Sequence, residues 1–234
     1  MRPAGGGAIR ARTIGAGPPV VLVHGLSGSF RWWSRNLEAL SQRFEVHAID
    51  LPGFGGNRGR FTLDAAAAQL IAWMDAREMT RASLIGHSMG GFIAADLAAR
   101  APERVERLVL ADAPLLPSGR GLPGLAAAGA RSGWRLPLPF LPVLVADALR
   151  AGPFTLRRAG HALLSADLTP RLSRIAAPTL VIWGERDRFF SVDYGRRVAE
   201  ALPNAAFVAI PGAGHNVMWD QPAAFNRAVL DFLA

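Results

Sequence analysis

The sequence predicts an α/β fold: a doubly wound, mostly parallel sheet with helices on both faces. Three observations carry that reading. Apolar runs alternate with segments at helical spacing along the 234 residues, the pattern of repeated strand–helix–strand units. Pro19-Val20-Val21-Leu22-Val23-His24 is apolar without alternation, as a strand buried on both faces requires. Finally, Gly86-His87-Ser88-Met89-Gly90 lies between the apolar run Ala82-Ser83-Leu84-Ile85 and the helix-forming run from Gly91 to Arg100, so the chain there turns sharply from strand into helix.

The elements follow in order. Gly7 to Ile14 is expected as a short antiparallel edge strand, Pro19 to His24 as a central one, and Trp32 to Gln42 as a helix. A strand from Phe44 to Ile49 precedes a glycine-rich loop, Leu51 to Phe61, and a helix from Leu63 to Met79 in which Leu70, Met74 and Arg77 recur at helical spacing. After the strand–turn–helix at Ser88 comes a strand from Val105 to Ala111. From Pro114 to Ile175 the pattern changes: Pro and Gly punctuate short apolar helical pieces, and no β-branched run appears before Pro178-Thr179-Leu180-Val181-Ile182-Trp183. That stretch reads as a small helical cap, 114–175, inserted after the sixth strand into a core made of 1–113 and 176–234. A helix (Ser191 to Leu202), a strand (Ala206 to Ile210) and a terminal helix (Pro222 to Leu233) complete the chain.

Composition bounds the function. The length suits one large α/β core, and half the residues are apolar. No apolar run nears the roughly 20 residues of a membrane span. Met1 to Gly7 lacks the apolar stretch of an export signal, so a cytoplasmic location and no membrane partner are expected. There is no cysteine, hence no thiol nucleophile and no disulfide. The net charge of +8 comes from arginine alone, alongside heavy Ala, Gly, Leu and Pro usage. GC-rich coding gives that bias, and no basic run exceeds two residues, so a nucleic-acid partner is not expected. The histidines and acids offer no metal-ligand spacing, so neither a metal site nor a cofactor is expected.

Ser88 is the candidate nucleophile. A serine hydroxyl needs a base to take its proton and a third group to orient that base. Asp187 lies in the loop after the strand ending at Trp183, and His215 in the glycine-loosened loop after the last strand. In a parallel sheet all three loops open on the same edge, where ligands bind. Asp112, after the strand ending at Ala111, is the alternative acid. Two backbone N–H groups are expected to form an oxyanion hole, from Met89 directly after the nucleophile and from Leu26 in the His24-Gly25-Leu26 loop. His24 is expected to shape that loop and His87 to tune the pocket, while Asp50 serves its own turn. Trp32 (beside Trp33), Leu138, Phe140 and Val143, with His24 and His87, are candidates to line the substrate pocket.

His24-Gly25, Asp50-Leu51-Pro52-Gly53-Phe54-Gly55, Gly86-His87-Ser88-Met89-Gly90-Gly91, Ala101-Pro102-Glu103-Arg104-Val105, Pro178 to Gly184, Asp187 and Gly214-His215 together resemble the α/β-hydrolase superfamily. The resemblance spans nearly all of the chain outside Pro114 to Ile175, and the order Ser88, Asp187, His215 is that family's order. The branch it looks most like is that of small carboxylesterases, enol-lactonases and perhydrolases with a helical cap. It implies a serine hydrolase of small or medium carboxylic esters working through an acyl-enzyme on Ser88, with a small-molecule ester as substrate. Serine at position 88 excludes the dehalogenases and epoxide hydrolases of this fold, which carry Asp there. Lactonase, perhydrolase and carbon–carbon-bond hydrolase chemistry share the triad and stay open, as does a catalytically degenerate binding protein. The cap carries eight arginines (Arg120, Arg131, Arg135, Arg150, Arg157, Arg158, Arg171, Arg174) against Asp147 and Asp167. Such a cap would favour anionic substrates or an acidic acyl-carrier partner, unless its arginines only solvate the outer face.

Overall fold

The structure is a computed structural model that describes residues 9–117, 119, 121, 123–124, 127–128, 130 and 137–234. Seven strands form one sheet: β1 (Arg10–Ile14), β2 (Pro19–Val23), β3 (Glu45–Asp50), β4 (Ala82–His87), β5 (Val105–Ala111), β6 (Thr179–Gly184) and β7 (Ala205–Ile210). Their spatial order is β1-β3-β2-β4-β5-β6-β7. Only β1 runs antiparallel, pairing Arg10 with Asp50 and Ile14 with Val46 of β3; the other neighbours are parallel. The chain leaves β2 toward β3 on one side and later returns to β4 on the other, so the crevice beyond the carboxyl ends of β2 and β4 is where such a sheet binds ligands.

Side-chain alternation explains why both faces are covered. Val21, Val23, Leu84, Leu108, Leu110 and Trp183 pack into one apolar layer with α2 (Leu63–Asp75), α3 (Met89–Arg100) and α5 (Val192–Glu200). Their strand neighbours Val20, Leu22, Ile85, Val109 and Ile182 point into the other layer, against Trp32, Trp33, Leu40, Phe225 and Val229. That second layer is closed by α1 (Leu37–Ser41), α6 (Val217–Asp220) and α7 (Pro222–Leu233).

Some expected elements change. The helix expected over Trp32 to Gln42 is a 3₁₀ turn, Phe30–Trp33, followed by the short α1. Ser29 Oγ caps the turn by accepting from the Arg31 N–H at 3.2 Å. The Asn36 amide then fixes the break, donating to the Met218 carbonyl (3.1 Å) and to Asn226 Oδ1 (2.7 Å). Helix α2 stops at Asp75 rather than Met79 because Glu78 turns left-handed at φ 55° and the Met79 N–H closes back on the Met74 carbonyl.

The insertion follows the fifth strand, not the sixth. Gly15 to Pro18 carries the chain directly from the edge strand to the sheet centre, so β1 to β5 are the strands described before it. Its main element is α4 (Leu141–Ser165), broken at Gly152 (φ 73°, ψ 157°) ahead of Pro153. A 3₁₀ turn, Thr169–Arg174, leads back to the sheet. The insertion is tied down by polar contacts: Arg158 donates to the Phe61 carbonyl at 2.7 Å, and Arg171 pairs with buried Asp96 at 2.8 Å. Buried Asp147 accepts from Ser29 Oγ at 2.7 Å and pairs with Arg31. These arginines bind core groups rather than only solvating an outer face. Arg120, Arg131, Arg135 and Leu136 lie outside the described residues, as does Gly7. No described helix is long and apolar enough to cross a membrane.

Candidate active site

The turn at Ser88 is built from its glycines. Ser88 itself sits at φ 51°, ψ −118°, a conformation that L residues adopt only when the surroundings hold them there. The Ser88 N–H is fixed by the Ala111 carbonyl at 2.8 Å, and its carbonyl accepts from Phe92. A Cβ on Gly86 would strike the backbone of Gly90 and Gly91, and one on Gly90 would strike the carbonyls of Val23 and His24. Strand, turn and helix therefore pack backbone to backbone. Gly90→Ala is expected to destabilise the fold by roughly 3 kcal/mol or more, because neither carbonyl can yield without shifting β2. Chemical denaturation measures this, and a loss under about 1 kcal/mol would contradict it.

The structure brings the three candidate catalytic side chains together. Ser88 Oγ lies 3.0 Å from His215 Nε2, and His215 Nδ1 lies 2.8 Å from Asp187 Oδ2. A carboxylate only accepts, so Nδ1 carries the proton and Nε2 is the bare base facing the hydroxyl. Asp187 is itself oriented: its Oδ1 accepts from the N–H groups of Phe189 (2.7 Å) and Phe190 (3.2 Å). The Phe189 ring packs on the His215 ring at 4.6 Å between centroids. Asp220 Oδ2 accepts from the Gly214 N–H at 2.8 Å, pinning the loop just before the base.

Asp112 is not the partner of His215. Its Oδ1 accepts from Gly184 N–H (2.8 Å) and its Oδ2 from Val217 N–H (3.4 Å), so it ties together the two loops that carry Asp187 and His215. It is fully buried, and desolvation, with Asp187 nearby, pushes its carboxyl well above the usual range. Like Ser88 it holds a positive φ, 48°.

The N–H groups of Leu26 and Met89 carry no hydrogen bond among the described residues. Leu26 belongs to a tight turn closed by the Gly28 N–H on the Gly25 carbonyl at 3.0 Å. His24 stabilises that loop from behind: Nε2 accepts from the Leu51 N–H (3.1 Å), so Nδ1–H donates to the Gly25 carbonyl (2.8 Å). His87 braces the base loop, its Nε2–H donating to the His215 carbonyl at 2.7 Å. Its Nδ1 is buried without a partner among the described residues, facing Gly25. A side chain at Gly25 would collide with that ring.

Of the remaining pocket candidates, Trp32 is buried against His87 (5.7 Å) and Phe140 (5.2 Å), and Phe140 packs on Trp219 at 4.5 Å. Val143 is half-buried on the same layer. Leu138 does not line a pocket: it is 83% exposed, because the turn before α4 points it outward while Phe140 turns in. The residues that sequence reasoning missed are Phe189, Trp219 and Asp220. Only Phe189 had a signal, two positions past an acid in a loop, where a carboxylate accepts from the backbone. Ligand-type atoms of His87, Asp112 and His215 cluster within 4.8 Å. All but His87 Nδ1 are already engaged in hydrogen bonds within the protein.

Burial sets a pH dependence. Desolvation lowers the imidazoles of His24, His47 and His87 below their ordinary value, His87 furthest. As pH falls through 6.5, the unfolded chain takes up these protons first, so stability is full above that value and declines below it. Each group contributes up to about 1.4 kcal/mol per pH unit. The raised carboxyls of Asp112 and Asp220 act in the opposite sense, the folded state binding their protons first. To isolate one histidine, His87→Gln retains a donor toward the His215 carbonyl but removes the titration. Its melting temperature is expected to fall less than that of the wild type between about pH 7.5 and 5.5. Identical falls would contradict the assignment.

The chain is 32% identical to the 2-hydroxy-6-oxononadienedioate/2-hydroxy-6-oxononatrienedioate hydrolase of Cupriavidus pinatubonensis, over 96% of this chain and 90% of that protein. It is 31% identical to the dihydrolipoyllysine-residue acetyltransferase component of the acetoin cleaving system of Pseudomonas putida, over 93% of this chain and 64% of that longer protein. Among solved structures, a thermophilic esterase from Thermogutta terrifontis superposes with a TM-score of 0.84 at 25% identity, over 96% of this chain and 92% of that one. The sequence profile of the alpha/beta hydrolase family matches residues 20–228. The chain belongs to the alpha/beta hydrolase family.

Proposed function

We propose that the protein is a serine hydrolase that cleaves carboxylic esters of small or medium acyl groups through an acyl-enzyme on Ser88. The observation that carries this reading is the hydrogen-bonded chain from Ser88 Oγ through His215 to Asp187, at 3.0 and 2.8 Å. Ser88 Oγ attacks the acyl carbon as His215 Nε2 takes its proton, and Asp187 supports the imidazolium. The oxyanion that forms is received by the N–H groups of Met89 and Leu26, each worth roughly 3 kcal/mol of barrier. His215 then gives the proton to the departing alkoxide, and water repeats the sequence to free the acid. These steps use only the named groups and water. Residues 114–175 act as the cap over this site, with the core formed by 1–113 and 176–234. Trp32 and Phe140 supply its apolar wall from the side of His87.

A second reading is supported by the relative from Cupriavidus pinatubonensis, whose name describes hydrolysis of a 2-hydroxy-6-oxo dienedioate. The same three side chains would then cleave a carbon–carbon bond. A substrate panel decides. p-Nitrophenyl acetate to octanoate are expected to be turned over with kcat/KM at least about tenfold above that for 2-hydroxy-6-oxohexa-2,4-dienoate. The reverse order assigns carbon–carbon hydrolysis. Turnover of neither, with Ser88 inert to a fluorophosphonate, assigns a binding protein.

A further inference from the structure

A cavity of about 420 Å³ lies at the junction of the core and the long helix α4, away from Ser88. It is lined by Arg10 and Arg12 of β1, Ser29 to Arg31 of the 3₁₀ turn, Asp50 and Gly55–Gly56 beyond β3, and Arg150 of α4. Ser88, Asp187, His215, Leu26 and Met89 take no part in it. Four arginines thus line one space, with Asp50 the one acid among its described lining residues.

Arg31 and Arg150 lean on one acid, Asp147, whereas the guanidinium groups of Arg10 and Arg12 have no acid partner among the described residues. Asp50 is already satisfied, Oδ1 by the Phe30 N–H (2.7 Å) and Oδ2 by the Gly56 N–H (3.0 Å). Asp147, just behind Ser29, is engaged by Ser29 Oγ and Arg31, with Arg150 at 3.5 Å. Each arginine carries five N–H donors. Arg10 uses one, on the Gly56 carbonyl at 3.0 Å, and the Arg12 guanidinium makes no hydrogen bond or ion pair among the described residues. Arg10 and Arg12 stand two residues apart on a strand and so project to the same side. The result is a surplus of forked donors converging from a strand, a turn and a helix, the arrangement that recognises carboxylate or phosphate oxygens in pairs.

We propose that this cavity is a second binding site, for a small oxyanion carrying at least two negative charges, either a diphosphate-type or a polycarboxylate ligand. Its volume falls in the range of small-molecule sites. Repulsion among the four cations is relieved when it is filled.

Calorimetric titration at low ionic strength with inorganic pyrophosphate, and separately with citrate, tests this. One saturable site per chain is expected for at least one of them. Arg12→Glu is expected to weaken it by roughly tenfold or more, with the melting temperature unchanged. Arg196→Glu removes the same charge from an exposed position on α5, which packs on β6 and β7 at the opposite edge of the sheet from β1, and is expected to leave the affinity within about twofold. Pyrophosphate alone binding assigns a phosphoryl ligand, and citrate alone a carboxylate. No saturable binding of either, or equal weakening by both variants, overturns the proposal.

Discussion

Ser88→Ala is expected to lower kcat/KM for short p-nitrophenyl esters by at least about 10⁴-fold, with the melting temperature shifted by no more than a few degrees. The two halves of that expectation come from different features. Activity is lost because no other hydroxyl is within hydrogen-bond reach of His215 Nε2 among the described residues. Stability is kept because Ser88 Oγ makes no other hydrogen bond among the described residues, and alanine inherits the same backbone strain at φ 51°. Steady-state kinetics and a thermal melt on one preparation check both. An active variant would remove Ser88 from the chemistry.

Asp187→Asn is expected to cost about 10³- to 10⁴-fold in kcat, and Asp112→Asn no more than about tenfold. The difference follows from how each carboxylate is held. At Asp187, Oδ1 is claimed by the N–H groups of Phe189 and Phe190, so an asparagine keeps its oxygen there and turns its NH₂ toward His215 Nδ1. That forces the proton onto Nε2, and the base no longer faces Ser88 bare. At Asp112 the short bond from Gly184 N–H survives and only the 3.4 Å contact with Val217 is lost. Burial and Asp187 already resist a charge on Asp112, so a neutral amide there is tolerated. A larger loss for Asp112→Asn would move the orienting role to it.

The sheet was legible because its signal is local. β2 is a continuous apolar run and β4, β5 and β6 each contain one, and alternation then divides their side chains between the two layers. Ser88 was legible because the backbone demands Gly86 and Gly90 around it, and His215 through its place in the glycine-containing loop after the last strand. Asp187 was legible through its place after a strand, yet Asp112 occupied an equivalent place. What separates the two acids is which N–H groups each one accepts from, and that is fixed by loops distant in sequence. For the same reason the break at Asn36 was not legible: it depends on Met218 and Asn226, more than 180 residues away. The outward turn of Leu138 was equally hidden. An apolar Leu-Pro-Leu-Pro-Phe run states hydrophobicity, but the turn geometry decides which member is buried, and here Phe140 is.

The proposed chemistry requires Ser88 to be a nucleophile activated by His215. Incubation with a fluorophosphonate probe, followed by intact-mass and peptide mapping, reads that out without a choice of substrate. A single adduct, on Ser88, is expected in the wild type, with at least about a hundredfold slower labelling in His215→Ala. A folded wild-type protein that stays unlabelled, or carries its adduct on another residue, would contradict it.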